Sequence, residues 1–362
     1  MYCLHIYQET IIRMNKKVVL YGILALLLTC VGVYLYTPLL PKKTSTISTA
    51  KPTPGQLTQI RIGWQIPWAT QGQLTQVLKH TQLLAENGLE AKFSGFVAGP
   101  PLNEAAMAKA VDVIFTADQP AATLLSKNPN WVIIGRLMYN RVSLYVPPNS
   151  PIKTVADLKG KTVGMPFGAA AQRMALKAEE DAGLTPGTDV TNVNLGIYEQ
   201  SDLVKDPKAT KWGTMDALAG FDPTPALFED KGLVRNLQVG KVVSLIVMSK
   251  EYITKNPNSP VQFLNAFNGA YKYYKNNVTQ SDAWFIEESK LKLSSKPLAI
   301  ASGMEPNLSA KTDDDIRIGF VEGDYKIMQD AADFLFKQGL IKKEITMKDY
   351  VDLSFLKKAQ LK

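Results

Sequence analysis

What most constrains this chain is the regular exchange of short apolar runs with helical stretches, punctuated by glycine and proline. Its clearest instance is residues 154–183, TVADLKGKTVGMPFGAAAQRMALKAEEDAG. A short amphipathic turn (Val155, Leu158) leads to a Lys159-Gly160-Lys161 corner and a brief strand over 162–165. Pro166 and Gly168 break the strand. A helix over 169–182 follows, rich in Ala, Gln, Met, Leu, Lys and Glu, and Gly183 stops it. Those are strong helix formers, and glycine just past the last turn is a common C-terminal stop. Strand, glycine turn and helix make half of a βαβ unit, whose helix start faces a crevice at the carboxyl end of the strand. Residues 167–172 (Phe167, Gly168, Ala169 and Gln172 among them) are therefore a candidate ligand cradle, the alternative being an ordinary βα turn.

The same alternation precedes this unit and follows it. Strands are expected over 59–63, 90–97, 111–115, 131–135 and 143–146, with helices over 70–86, 102–110 and 121–126. Gly99-Pro100-Pro101 breaks the second strand. After residue 162 the pattern restarts, with strands over 190–195, 215–219 and 241–248 and a helix near 199–206. From 259 onward the chain reads as helical, over 261–276, 280–288, 316–337 and 347–356. Alternating βα units argue an α/β fold with doubly wound sheets. Two lobes joined by more than one crossing fit better than a single large sheet. The boundaries are 57–144 plus 222–362 for the first lobe and 145–221 for the second.

The formal charge of +8 is concentrated at one end. Residues 1–56 hold six basic residues (Arg13, Lys16, Lys17, Lys42, Lys43, Lys51) against Glu9, which leaves 35 basic and 32 acidic residues beyond them. No like-charged block stands out there, so the basic balance does not indicate nucleic acid. Residues 18–36 form an uncharged apolar run of 19 residues, close to the roughly 20 that span a bilayer. Lysines flank the run on both sides. With a short tail at 1–17 and the segment assigned to 18–40, an uncleaved signal anchor is expected. A lipoprotein modified at Cys30 (after Leu27-Leu28-Thr29) and a cleaved signal peptide are the alternatives, and Met14 is an alternative start. All three place the remainder outside the cytoplasm. The Pro/Ser/Thr/Lys-rich stretch 41–56 reads as a flexible tether.

Catalytic chemistry is poorly supplied. The two cysteines, Cys3 and Cys30, precede the globular part, and His80 is the one histidine within it. Thiolate nucleophiles, histidine-based acid–base pairs and metal sites built on Cys or His therefore lack their residues. His80 reads as a surface or packing residue. Asp313-Asp314-Asp315 reads as the capped, acidic first turn of the helix that follows. The chain is expected to have no cofactor. It does offer aromatic and amide groups at strand ends: Trp64, Gln65 and Trp68, then Asp118 and Gln119, then Tyr139-Asn140-Arg141 and Asp222. A few polar groups converging among aromatic rings is how small-molecule sites are usually lined.

VDVIFTADQPA (111–121), SLYVPPNSPIKTVADLKGKTVG (143–164), the turn at Gly168 and the DAL and FDP stretches within 216–223 resemble the periplasmic substrate-binding proteins of ABC importers. The resemblance is to the nitrate/sulfonate/taurine and thiamine-precursor group, which shares a domain with a yeast pyrimidine-synthesis enzyme, and it covers roughly 57–340. It implies a type II periplasmic-binding-protein fold that captures one small organic, nitrogen- or sulfur-containing solute by hinge closure, as a monomer, for an ABC permease and ATPase. It implies contacts at Trp64, Gln65, Trp68, Asp118, Gln119, residues 167–172 and Asp222. Sulfonate-binding relatives commonly carry hydroxyls after the turn glycine, where this chain has Ala169-Ala170-Ala171. With Asp118 and Asp222 at the cleft, a flat neutral or cationic nitrogenous compound is expected over a strong anion. A membrane-tethered sensor of the same fold is the rival reading. A pyrimidine-synthase-like enzyme conflicts with the missing histidines and cysteines.

Overall fold

The computed structural model describes residues 57–361. The apolar run at 18–36, the tether, His5, Cys3 and Cys30 lie outside the described residues. Among the described residues no helix is long and apolar enough to cross a membrane. Residues from Gly55 onward form one compact unit. The sheet and the hydrophobic core of the described residues are both internal to it.

Eight strands build its mixed sheet: β1 (Thr58–Gln65), β2 (Leu89–Phe96), β3 (Val113–Ala117), β4 (Trp131–Val146), β5 (Thr162–Met165), β6 (Thr191–Asn194), β7 (Ala217–Phe221) and β8 (Arg235–Ser249). Their order is β2-β1-β3-β8-β4-β7-β5-β6. Parallel pairs occur in two sets, β1 with β2 and β3, and β5 with β6 and β7. Two long antiparallel strands join the sets. β3 pairs with the end of β8, β7 pairs with the end of β4, and β4 pairs with β8 from Trp131↔Ser249 to Val146↔Arg235. Hydrogen bonding is thus continuous from β2 to β6, and β4 and β8 are the two strands that join the sets.

The sheet is covered on both faces, and its residues alternate accordingly. Val113, Phe115 and Ala117 belong to one buried cluster, with Trp64, Phe263 and Phe267, while Ile114 belongs to a second, with Leu124, Leu144 and Met328. Strands buried on both sides read as unbroken apolar runs, which is why β3 and the end of β8 were legible.

Several elements differ from expectation. The strands expected at 131–135 and 143–146 are one strand, β4, because its polar residues find partners. Arg136 makes a bidentate pair with Glu305 at 2.6 and 3.0 Å, Arg141 pairs with Asp222, and Asn140 donates to the Ala69 carbonyl. The helix expected over 70–86 divides into Gln71–His80 and Leu83–Glu86. Pro100 and Pro101 open the helix Gly99–Met107 instead of merely ending β2, since proline suits a helix's first turn. Asp313–Asp315 is an isolated 3₁₀ turn capped by Thr312, and the long helix begins only at Glu322. His80 is exposed and stacks on Trp284 at 4.6 Å.

Candidate functional site

The helices Gln71–His80, Asp118–Lys127 and Ala170–Asp181 each begin beyond the carboxyl end of a parallel strand, β1, β3 and β5. None has a side-chain cap hydrogen bond. In the second, Asp118 Oδ1 takes the first-turn Gln119 N–H, but in the first and third the first-turn N–H groups have no capping side chain and, with the helix dipole, are receptive to a polar or anionic group. The turn into the third is tight. Gly168 has φ +79°, a left-handed conformation, and a Cβ there would lie 2.8 Å from Pro100 Cγ. Only glycine fits without displacing Pro100. The Gly168 N–H donates to Gln172 Oε1 at 2.8 Å, which closes the turn.

These strand ends carry an unusual density of buried side-chain polar atoms with no protein partner. They include Trp68 Nε1, Thr70 Oγ1, Thr116 Oγ1, both amide atoms of Gln119, Asn140 Oδ1 and Thr224 Oγ1. Cross-links tie these strand ends to one another. Asn140 reaches the Ala69 carbonyl, Trp68 lies 4.9 Å from Phe221, and Gln65 Nε2 reaches the Phe115 carbonyl at 3.5 Å. Natural folds pair nearly all buried polar groups, and an unpaired one costs about 1–3 kcal/mol. Gln119 is fully buried yet neither amide atom serves the fold. A bound solute would give these atoms partners.

The acids of the site are already paired. Asp118 Oδ2 accepts from Arg173 at 2.7 Å and from the Val243 N–H at 3.3 Å, and Oδ1 accepts from the Gln119 N–H. Asp222 is held by Arg141 at 2.7 and 3.1 Å, and Arg141 also lies 2.7 Å from Glu229. Burial pushes the Asp118 carboxyl upward, against the pull of Arg173. Burial likewise pushes Asp222 up to about 6, against the pull of Arg141. Neither acid is a free charge.

The expected site residues do not all come together. Trp68, Gln119, Asp118, Asp222 and Gln65 gather at the strand ends, and the turn Gly168, Ala169 and Gln172 leads into the third helix. Trp64 is a core residue on the face of β1 shared with Ile60 and Ile62, with Lys79 Nζ 5.8 Å above its ring. Tyr139 lies elsewhere. Its hydroxyl bonds Asp324 and Arg317, and Arg136 and Lys241 lie 4.5 and 4.4 Å from its ring. Strand alternation puts the adjacent Asn140 on the other face, toward Ala69. Phe167 is exposed, its N–H donating to Asn194 Oδ1. Arg173 escaped sequence reading, because it stands off the buried stripe of its helix (Ala171, Ala175, Glu179) and periodicity supplied no signal. Thr70, Thr116 and Thr224 carried none. Among the described residues no cluster of His, Cys, Asp or Glu could hold a metal ion.

A family model described as NMT1/THI5 like matches residues 85–280. A putative aliphatic sulfonates-binding protein of Escherichia coli is 32% identical over 206 residues, covering 54% of this chain and 61% of that protein. The matched region thus spans less than two thirds of that relative. One of the same description from Bacillus subtilis is 26% identical over 313 residues, covering 84% of this chain and 89% of that protein. Among solved structures, the alkanesulfonate-binding protein SsuA from Xanthomonas axonopodis pv. citri, bound to MOPS, superposes with a TM-score of 0.65 at 22% identity, over 82% of this chain and 99% of that one. At that identity the likeness speaks for the fold, an α/β periplasmic-binding-protein fold with a mixed sheet and many helices.

Proposed function

Because this chain belongs to the NMT1/THI5-like family, we propose that it is an extracytoplasmic solute-binding receptor of an ABC importer. It would hold one small organic solute between its two strand sets and deliver it to a permease. The single observation that carries this reading is the group of unpartnered buried polar atoms around Trp68, Gln119 and Asn140. The description of both relatives as binding proteins supports a receptor over an enzyme. A membrane tether at 18–36 belongs to the same reading and keeps the receptor beside its permease.

The ligand we favour is a small organic anion of the sulfonate class, its apolar part against Trp68 and Phe221. Asp118 and Asp222 do not select a cation, because Arg173 and Arg141 neutralise both. The starts of the helices Gln71–His80 and Ala170–Asp181, which carry no capping side chain, then favour negative charge. Closure would bend β4 and β8 where they pass from one strand set to the other.

The test is Gln119→Leu in residues 55–362, read by calorimetric titration with aliphatic sulfonates and with pyrimidines. Removing a buried amide that has no partner is expected to leave stability unchanged or raised. Affinity for the sulfonate is expected to fall about tenfold or more. Undiminished affinity in the folded variant would remove the cleft from this location, and tighter binding of pyrimidines would reverse the ligand assignment.

A further inference from the structure

We propose a second ligand site, away from the strand ends, that takes an amphiphilic organic anion with a medium-length alkyl chain and one negatively charged head. A groove of about 410 Å³ lies among the helix Ile197–Leu203, the helix Thr224–Asp230 with the turn after it, and residues 290–292. That volume falls within the several hundred cubic ångströms usual for small-molecule sites. Leu227, Phe228, Leu233 and Leu291 line it, side chains that are otherwise buried. The Tyr198 hydroxyl donates to the Ser289 carbonyl at 3.1 Å and ties one wall to the other.

Lys205, Lys231, Lys290 and Lys292 line the same groove and are exposed. Asp202 is the one acid lining it, 3.6 Å from Lys205. Among the described residues no carboxylate lies within ion-pair reach of Lys231, Lys290 or Lys292. Three of the four lysines follow helix ends, where the dipole offsets about half a charge each. Four ammonium groups against one carboxylate still leave a positive surplus. Lys290 holds φ +57° at the end of the helix Val278–Ser289, a left-handed position that glycine usually fills. An apolar floor with a cationic rim matches a ligand that buries a chain and leaves an anionic head in solvent. The groove shares no residue with the strand-end site.

The experiment titrates residues 55–362 with decanoate and with the neutral decanol by calorimetry. The arms are the natural chain, the double variant Lys231→Glu/Lys290→Glu, and Gln119→Leu. Both lysines are exposed, so the double variant is expected to fold. The expected result is one saturable decanoate site, about tenfold weaker or worse for decanol and in the double variant, and unchanged in Gln119→Leu. Its affinity should also fall as salt rises. Equal binding by the double variant, or loss of binding in Gln119→Leu, would overturn the proposal. So would retention on phosphatidylglycerol vesicles without uptake of free decanoate, which would make the lysines a membrane-facing surface.

Discussion

Individual buried charges set much of this molecule's pH behaviour. Glu179, on the helix Ala170–Asp181, is fully buried, with Asn192 donating to its Oε2 at 3.0 Å. Burial outweighs that bond and pushes its carboxyl from 4.5 up to about 7. Below 4.5 the group is neutral in both folded and unfolded chains, so it costs nothing. Between the two values the unfolded chain releases a proton that the folded chain keeps, and stability falls as pH rises, levelling above 7. Glu179→Gln is expected to remove this loss, so its stability advantage by urea unfolding should grow through that window and then stay constant. An advantage that does not vary with pH would place the carboxyl in a more solvated setting.

At the scale of elements, the turn before the helix Ala170–Asp181 depends on one residue. Gly168 combines a left-handed φ with an approach to Pro100 that leaves no room for a Cβ. Gly168→Val is expected to cost more than about 1 kcal/mol, the usual penalty at such a position alone, and to lower Tm by at least a few degrees in a thermal scan. Solute affinity should fall with it, since the turn sets where the helix start points. Gly183, also left-handed but with open space around it, is the control for strain without a clash. β4 makes the complementary point. Its apolar residues alone describe two short strands, and its length depends on what Arg136, Asn140 and Arg141 meet in space.

For the whole molecule, the C-terminal segment ties down β4, one of the two strands that join the sets. Glu305 accepts both Arg136 bonds and the Tyr139 N–H, while Asp324 binds the Tyr139 hydroxyl and Arg317. Arg136 and Glu305 are fully buried, so removing one partner strands a charge. Arg136→Met is expected to lose about 3–5 kcal/mol by denaturant unfolding. Arg136→Met with Glu305→Met should recover most of that, because the loss comes from the unpaired charge. From sequence alone, apolar periodicity and punctuation determined the α/β class, the order of strands and helices, and the glycine turn at 168, since these depend on residues adjacent in the chain. Order among matched turns was enough to point to the family. Only tertiary structure decided that β4 runs unbroken, that Tyr139 turns away while Asn140 faces Ala69, and that Asp118 and Asp222 are paired with arginines. Those outcomes depend on partners up to 185 residues away. A polar residue in a sequence does not disclose whether it will meet solvent, a ligand or a buried counter-charge.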